Sequence, residues 1–381
     1  MAFLVVLHAN ACHHIGPSAR LESRDDFTTG WNRGDLPDHR VRARRCPPSS
    51  RFCHARAVHR CVFVLLAACG GHAPTTIRST PACDPTGHAR VVAATTAVEL
   101  TAALADARPG DLIRVTGTLP GDFVLANAGT KAAPIALCGD AVLIGPSLEH
   151  GYTLHITADW WLISGLTITG GAKGVMLDHA SHVVLRELEV HHTGNEGIHF
   201  RAGSSDDVLE RSSVHDTGTR GDPHIGEGVY VGSAYEHWCD ASYCEPDRCD
   251  RIRIFGNHLG PNTTAENLDI KEGTSDGIVE DNWFDGTGMV APAGADSWVD
   301  VKGNGWRLVG NHGVHAPTDG FQTHVQQPGW GQRTVFRGNH LSVGGPGYGF
   351  RIAAASHDTV VACDNDVRDA GKGASNIRCT P

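Results

Sequence analysis

Downstream of residue 110, apolar residues recur in short alternating runs and not at helical spacing. Six segments carry the pattern: Gly197-Ile-His-Phe-Arg201, Gly228-Val-Tyr-Val-Gly232, Asn267-Leu-Asp-Ile-Lys271, Trp298-Val-Asp-Val-Lys302, Gly320-Phe-Gln-Thr-His324 and Gly347-Tyr-Gly-Phe-Arg351. Successive side chains of a strand point to opposite faces, so one set is buried and the other displayed. The buried set is Ile198/Phe200, Val229/Val231, Leu268/Ile270, Val299/Val301, Phe321/Thr323 and Tyr348/Phe350. The displayed set is His199/Arg201, Tyr230/Gly232, Asp269/Lys271, Asp300/Lys302, Gln322/His324 and Gly349/Arg351.

A second landmark, a phrase of the type Gly-Asn-His-Leu, fixes the period. Leu166, Leu188, Ser212, Asn257, Asn282, Asn311, Asn339 and Asn365 occupy matching places, 22 to 29 residues apart except for one interval of 45 that holds an inserted loop. Strands returning at this interval without helices between them predict an all-β fold, a single-stranded right-handed parallel β-helix. The Asn series reads as a ladder of stacked side-chain amides at a tight bend. The one helical signal is a capping box, Thr96-Ala-Val-Glu99, ahead of Leu100, Ala103 and Leu104, with a stop at Pro109-Gly110. It predicts a short N-terminal capping helix.

Composition sharpens this picture. The chain has 46 Gly in 381 residues but no Gly-X-Y period, which fits many turns and excludes collagen. Charge is divided unevenly: residues 1–69 hold ten Arg against five Asp or Glu, and the remainder holds 22 Lys or Arg against 37 Asp or Glu. A body that acidic is no general nucleic-acid binder.

The basic leader has its own reading. Residues 56–71 run from Arg and His through Val-Phe-Val-Leu-Leu to Ala67-Ala68-Cys69, the layout of a secretory signal. Leu66-Ala67-Ala68-Cys69 resembles the lipobox of bacterial lipoproteins, with a buried apolar strand as the alternative. The expected organisation is a 1–57 extension without a role in the folded product, a 58–69 signal ending at Cys69, a 70–82 linker and an 83–381 β-helix domain. Export, to a membrane surface through a lipid on Cys69 or free outside the cytoplasm, fits the seven later cysteines (83, 138, 239, 244, 249, 363, 379) as disulfides with one left over. The spacing of Cys239, Cys244 and Cys249 is too long for the usual zinc knuckle.

The displayed stripe is the candidate for chemistry. Arg201, Lys271, Lys302, His324 and Arg351 fall in one outward band of an acidic body, flanked by His199, Asp300 and Gln322. Such a row suits an extended anionic polymer, an acidic polysaccharide, bound by a monomer. Insertions at 233–250 and 287–297 are placed to wall a groove, with Trp238 or Trp298 as a sugar platform, although Trp298 equally suits packing. His191, His192, His199, His215 and His224 are a weaker candidate for a transition-metal site.

Pro109-Gly110-Asp111, Gly129-Thr-Lys-Ala-Ala-Pro-Ile135 and the coils behind them resemble the pectin-lyase-like right-handed β-helix superfamily, over roughly residues 90–370. Within this stretch, Glu266-Asn-Leu-Asp-Ile-Lys271-Glu followed by Asp281-Asn282 is similar to the motif of chondroitinase B and related alginate lyases. In those enzymes the glutamate binds Ca²⁺ and the lysine is the general base. The resemblance therefore implies Glu266 as a calcium ligand and Lys271 as the base. Lys302 stands where the family has an arginine. Thr264 stands where it has a second acidic ligand, leaving Glu227 or Asp269 to replace it.

The implied reaction is β-elimination from a 4-linked uronate. A base removes the C5 proton, cations neutralise the adjacent carboxylate, and O4 leaves with a proton from Lys302, Tyr230 or His324. Flanking cations are expected to lower the pKa of Lys271, with Asp269 opposing them. Two alternatives stay open: a glycoside hydrolase using Asp269 and Asp300 about 5 Å apart, and a carbohydrate-binding β-helix without catalysis.

Overall fold

A computed structural model of the chain describes residues 83–222, 224–289 and 295–381. The leader, the lipobox cysteine, the linker and part of the 287–297 insertion lie outside them. The described chain is a parallel β-solenoid whose coils each add one strand to each of three sheets, of eleven, ten and ten strands. The first sheet begins at Arg90–Ala94, the second runs from Phe123–Leu125 to Gly373–Ser375, and the third from Thr118–Pro120 to Asp366–Arg368. Helix α1 (Ala97–Ala105) has Thr96 as its N-cap, with a reciprocal Glu99 bond, and buries Leu100, Ala103 and Leu104.

All six alternating segments lie in the second sheet. Its inward column runs Val175, Ile198, Val229, Leu268, Val299, Phe321 and Phe350 in consecutive register, every one fully buried. The last step corrects the sequence alignment, which put Tyr348 beside Phe321 and Arg351 beside His324. The observed partners are Phe321 with Phe350 and Gln322 with Arg351, a shift of two residues. Two features explain it. Phe350 packs with its ring tilted against Phe321 and Phe336 at 5.7 and 5.1 Å, which buries the larger apolar surface. The position leading each strand also approaches the next coil closely: a Cβ at Gly320 would lie 2.5 Å from Gly349 O. A two-residue shift keeps every side chain on its own face.

Trp298 is one of the exceptions to that small-residue rule. Its ring is fully buried, it donates from Nε1 to Val314 O at 2.9 Å, and it occupies the space a side chain at Gly313 would need. It is a core residue, not a groove wall.

The Asn ladder forms along the bend. Asn257, Asn282, Asn311 and Asn339 each accept, at Oδ1, the backbone N–H of the residue one coil earlier, at 2.9–3.0 Å. Each also sends Nδ2 to a strand carbonyl (Leu209, Ile254, Val279 and Leu308). Disulfides join Cys83 to Cys138, Cys239 to Cys244 and Cys363 to Cys379, and Cys249 is a buried thiol.

Candidate active site

Three outward columns cross the second sheet. The middle one reads Met176, His199, Tyr230, Asp269, Asp300, Gln322 and Arg351. Two residues further along the strands stand Asp178, Arg201, Gly232, Lys271, Lys302 and His324, the register carried on by Gly232 N–H to Phe200 O, Lys271 N–H to Val231 O and Lys302 N–H to Ile270 O. On the other side, just ahead of the strand-leading positions, come Lys173, Glu196, Glu227 and Glu266.

Asp269 is the centre of the cluster. Its carboxylate takes Lys271 Nζ at 2.6 Å and Lys302 Nζ at 2.7 Å. Lys302 also lies 3.2 Å from Asp300, which accepts from Ser297 at 2.8 Å and has His324 Nε2 at 3.2 Å. Lys271 Nζ sits 4.7 Å from the centre of the Tyr230 ring. The Tyr230 hydroxyl, by contrast, makes no hydrogen bond among the described residues. One coil back, His199 packs edge-on to Tyr230 at 4.5 Å. Gly232 O lies 2.9 Å from His199 Nε2 and can only accept, so Nε2 carries the proton and Nδ1 faces Lys173 Nζ at 3.3 Å. Lys173 in turn bonds both oxygens of Glu196 at 2.6 Å.

Burial and crowding set the protonation states. Burial, then Glu196 and Asp269, push the Glu227 carboxyl up to about 7. Burial, then Asp300 and Asp269, raise Glu266 well above the usual range. Burial alone would raise Asp300, but Lys302 and His324 hold it far below. Burial, reinforced by Asp269 and Glu227, keeps the Tyr230 phenol protonated. Burial and the Lys173 charge bring His199 down to about 3, so it is neutral. Lys271 departs from expectation. Burial works against its ammonium, but Asp269, Glu227 and Glu266 outweigh burial and raise its pKa above the ordinary lysine value. The neighbouring cation does not win because the Asp269 carboxylate lies in direct contact with both lysines, at 2.6 and 2.7 Å.

Glu227, Glu266 and Asp269 are, among the described residues, the one group of three or more ligating side chains within reach of a single ion. Both Asp269 oxygens already face ammonium groups. Among the described residues the free donors are Glu266, which makes no side-chain hydrogen bond, and Glu227, which accepts only the Gly226 N–H at 3.0 Å. Five buried carboxyl groups (Glu196, Glu227, Glu266, Asp269, Asp300) face three ammonium groups (Lys173, Lys271, Lys302), an excess of two, and the raised pKa values of Glu227 and Glu266 show that these two hold protons unless a cation takes their place. Carboxylate oxygens with that excess fit a divalent hard cation such as Ca²⁺. Thr264 takes no part, since its hydroxyl donates to Ile225 O at 2.7 Å.

A cleft of about 440 Å³ opens over the upstream half of this cluster, with Glu227, Tyr230, Arg201 and Lys271 in its lining. The inserted loop supplies Ala234, His237 and Asp240 on one side, and His224 and Ile225 close the other. The short helix α2 (Trp238–Ala241) belongs to that loop, and Trp238 spends its N–H on Ser233 O at 3.0 Å.

The structure thus brings Lys271, Lys302, Tyr230, Asp269, Asp300, His324, Glu227 and Glu266 together. It leaves others with their polar atoms already engaged by protein groups, His199 among them although it lines the cleft. His199 is 5% exposed with both ring nitrogens engaged, and Gln322 is fully buried with its amide donating to Asp296 and Asp319 at 2.8 and 3.1 Å. Arg351 lies four coils from Tyr230, near Gln322 and Asp296. His191 and His215 stand on the third sheet and His192 just past His191, away from His199 on the second sheet, and none of them joins it in a ligating group among the described residues. Asp269 and Asp300 share Lys302, so neither is a carboxylic acid for glycoside hydrolysis. Sequence reading missed Glu196 and Lys173. Their signal was present: Lys173-Gly174, Glu196-Gly197, Glu227-Gly228 and Glu266-Asn267 repeat an ionisable residue ahead of the strand at the coil period.

No family profile and no curated protein sequence matches the chain. Solved structures do. An alginate lyase from Paenibacillus sp. str. FPU-7 is 38% identical, with a TM-score of 0.70 over 75% of this chain and 98% of that one. The pectate lyase Pel9A (15% identity, TM-score 0.52, 76% and 82% covered) and a mannuronic acid specific polysaccharide family 6 lyase from human gut microbiota (14%, 0.54, 75% and 66%) share the fold. Fold and site define a pectin-lyase-like β-helix enzyme. The chain belongs to the family of the Paenibacillus alginate lyase and is a polysaccharide lyase.

Proposed function

We propose that the protein is an exported lyase that cleaves alginate, or a closely similar polyuronate, by β-elimination. The observation that carries the reading is the Lys271–Tyr230 pair at the cleft, an amine that becomes a base once it sheds its proton and a phenol that holds its own with no hydrogen-bond partner among the described residues. The name of the 38% identical relative supports alginate. In this reading the Lys271 amine takes the C5 proton, the C5–H electrons form the C4=C5 double bond, the C4–O4 bond breaks, and the Tyr230 hydroxyl protonates O4. Lys302, pinned between Asp269 and Asp300, keeps its charge and stabilises the developing carbanion at the substrate carboxylate. His199 holds the Tyr230 ring. Glu227 and Glu266 would hold Ca²⁺, which when bound supplies charge neutralisation for the substrate carboxylate. Three disulfides support export.

The test is formation of an ultraviolet-absorbing unsaturated uronate from alginate. Lys271→Ala and Tyr230→Phe should each lower kcat by roughly 10²–10⁴-fold. Reducing ends released without that absorbance would overturn the elimination.

A further inference from the structure

Arg201 and Lys271 stand in the same outward column, with one coil between them. On that coil the column holds Gly232, whose φ of +82° favours glycine and where a Cβ would meet Thr274 Cγ2 at 2.6 Å. The groove floor is therefore bare between two cations separated by two coil spacings, roughly 10 Å. An extended 1,4-linked sugar chain advances by about one coil spacing per ring, and neighbouring rings are turned over relative to each other. Acid groups on the same edge of such a chain recur at every second ring.

Arg201 is built to receive one of them. Its Nε and Nη2 grip Asp178 at 2.7 and 2.8 Å, and Asp178 is also bonded by His155 Nε2 at 2.9 Å. That fork fixes the guanidinium plane and leaves Nη1 unused by Asp178 in a side chain that lines the cleft, with the Tyr152 hydroxyl as the other protein group beside the guanidinium. A lysine could not be held this way, because an ammonium has no fork.

We propose that Arg201 binds the carboxylate of the uronate two rings away from the one held at Lys271, so that the groove checks for an acid group at that second position before cutting. The inference rests on the polyuronate-lyase reading above. It adds a specificity-determining residue, with Asp178 as the residue that positions it.

Alginate in which a fraction of the carboxyl groups has been reduced to primary alcohols at random is the probe. Wild-type protein, Arg201→Ala and Arg201→Lys are each given this polymer, and the unsaturated products are sequenced by mass spectrometry. Wild-type products should lack the neutral sugar at the ring two positions from the reacting uronate, on one side only. Arg201→Ala should lose that bias. On intact alginate its KM should rise roughly ten- to a hundredfold with kcat within a few-fold, the loss of one charge-assisted contact. Arg201→Lys should keep part of the bias, and it guards against a folding defect in the alanine variant. The same bias in wild type and Arg201→Ala, or no bias in wild type, overturns the proposal while leaving the lyase intact. No unsaturated product from intact alginate overturns the lyase reading itself, and this inference with it.

Discussion

Asn311→Ala tests whether the amide ladder holds the coils together. Asn311 Oδ1 accepts from Asn282 N and Nδ2, both at 3.0 Å, and its Nδ2 donates to Val279 O at 2.9 Å and Asn339 Oδ1 at 3.1 Å. Asn282, Asn311 and Asn339 are all fully buried, so water cannot take the vacated places. The Asn282 amide nitrogen keeps its bond to Ile254 O, but the Asn282 backbone N–H loses its partner. One orphaned buried donor at about 1–3 kcal/mol, plus the three other lost bonds at roughly 0.5–1 kcal/mol each, predicts a loss of about 2.5–6 kcal/mol. Asn365→Ala is the control. Asn365 also receives Asn339 N and Nδ2 and donates to two carbonyls, Phe336 O and Ala362 O, but it is only half-buried. Water can replace its bonds, and about 1 kcal/mol is expected there. Urea denaturation followed by tryptophan fluorescence measures both. Equal losses at the two positions, or a loss below about 1 kcal/mol at Asn311, would show that burial of the ladder is not what sets its worth.

Other outcomes follow from the site. Because Asp269 and its neighbours raise the Lys271 pKa, the base form is scarce at neutral pH, and kcat/KM should climb about tenfold per unit between roughly pH 7 and 9. A flat profile would remove Lys271 as the base, and Asp269→Asn should move the rise toward neutral. Neutral His199 contributes to stability in the opposite sense from a salt-bridged histidine. Its folded pKa of about 3 lies below its ordinary 6.5, so its contribution is full above pH 6.5 and lost as pH falls toward 3. His199→Gln should therefore lose less stability than wild type across that window, by up to on the order of 4 kcal/mol, and parallel acid-denaturation curves would contradict the buried neutral imidazole. Glu266→Gln should weaken Ca²⁺ binding measured by calorimetry on the full chain. Unchanged binding would take Glu266 out of the metal role.

Much of the architecture was legible because its causes are local. Strand alternation decides which face Ile198, Leu268 or Val301 takes, and the recurring Asn fixes the coil length. The one register error came at Phe350, where tilted ring packing against Phe321 and Phe336 and the tight approach at Gly349 decide between two alignments that place side chains on the same faces. No pattern within a single coil carries that information.

The site divides in the same way. The sequence by itself determined that Asp269, Lys271, Asp300 and Lys302 share a face, since residues two apart on a strand must do so. It could not decide how their charges balance. That depended on Lys302 reaching back one coil to Asp269, on Glu196 and Glu227 stacking ahead of the strands, and on Lys173 meeting His199 across 26 residues of chain. The closeness of Asp269, Glu227 and Glu266 turned the expected lowering of the Lys271 pKa into a rise. Facing is set by the backbone period, which any short segment displays. Electrostatics depends on distances between coils and on the exclusion of water, and both exist only once the solenoid has closed.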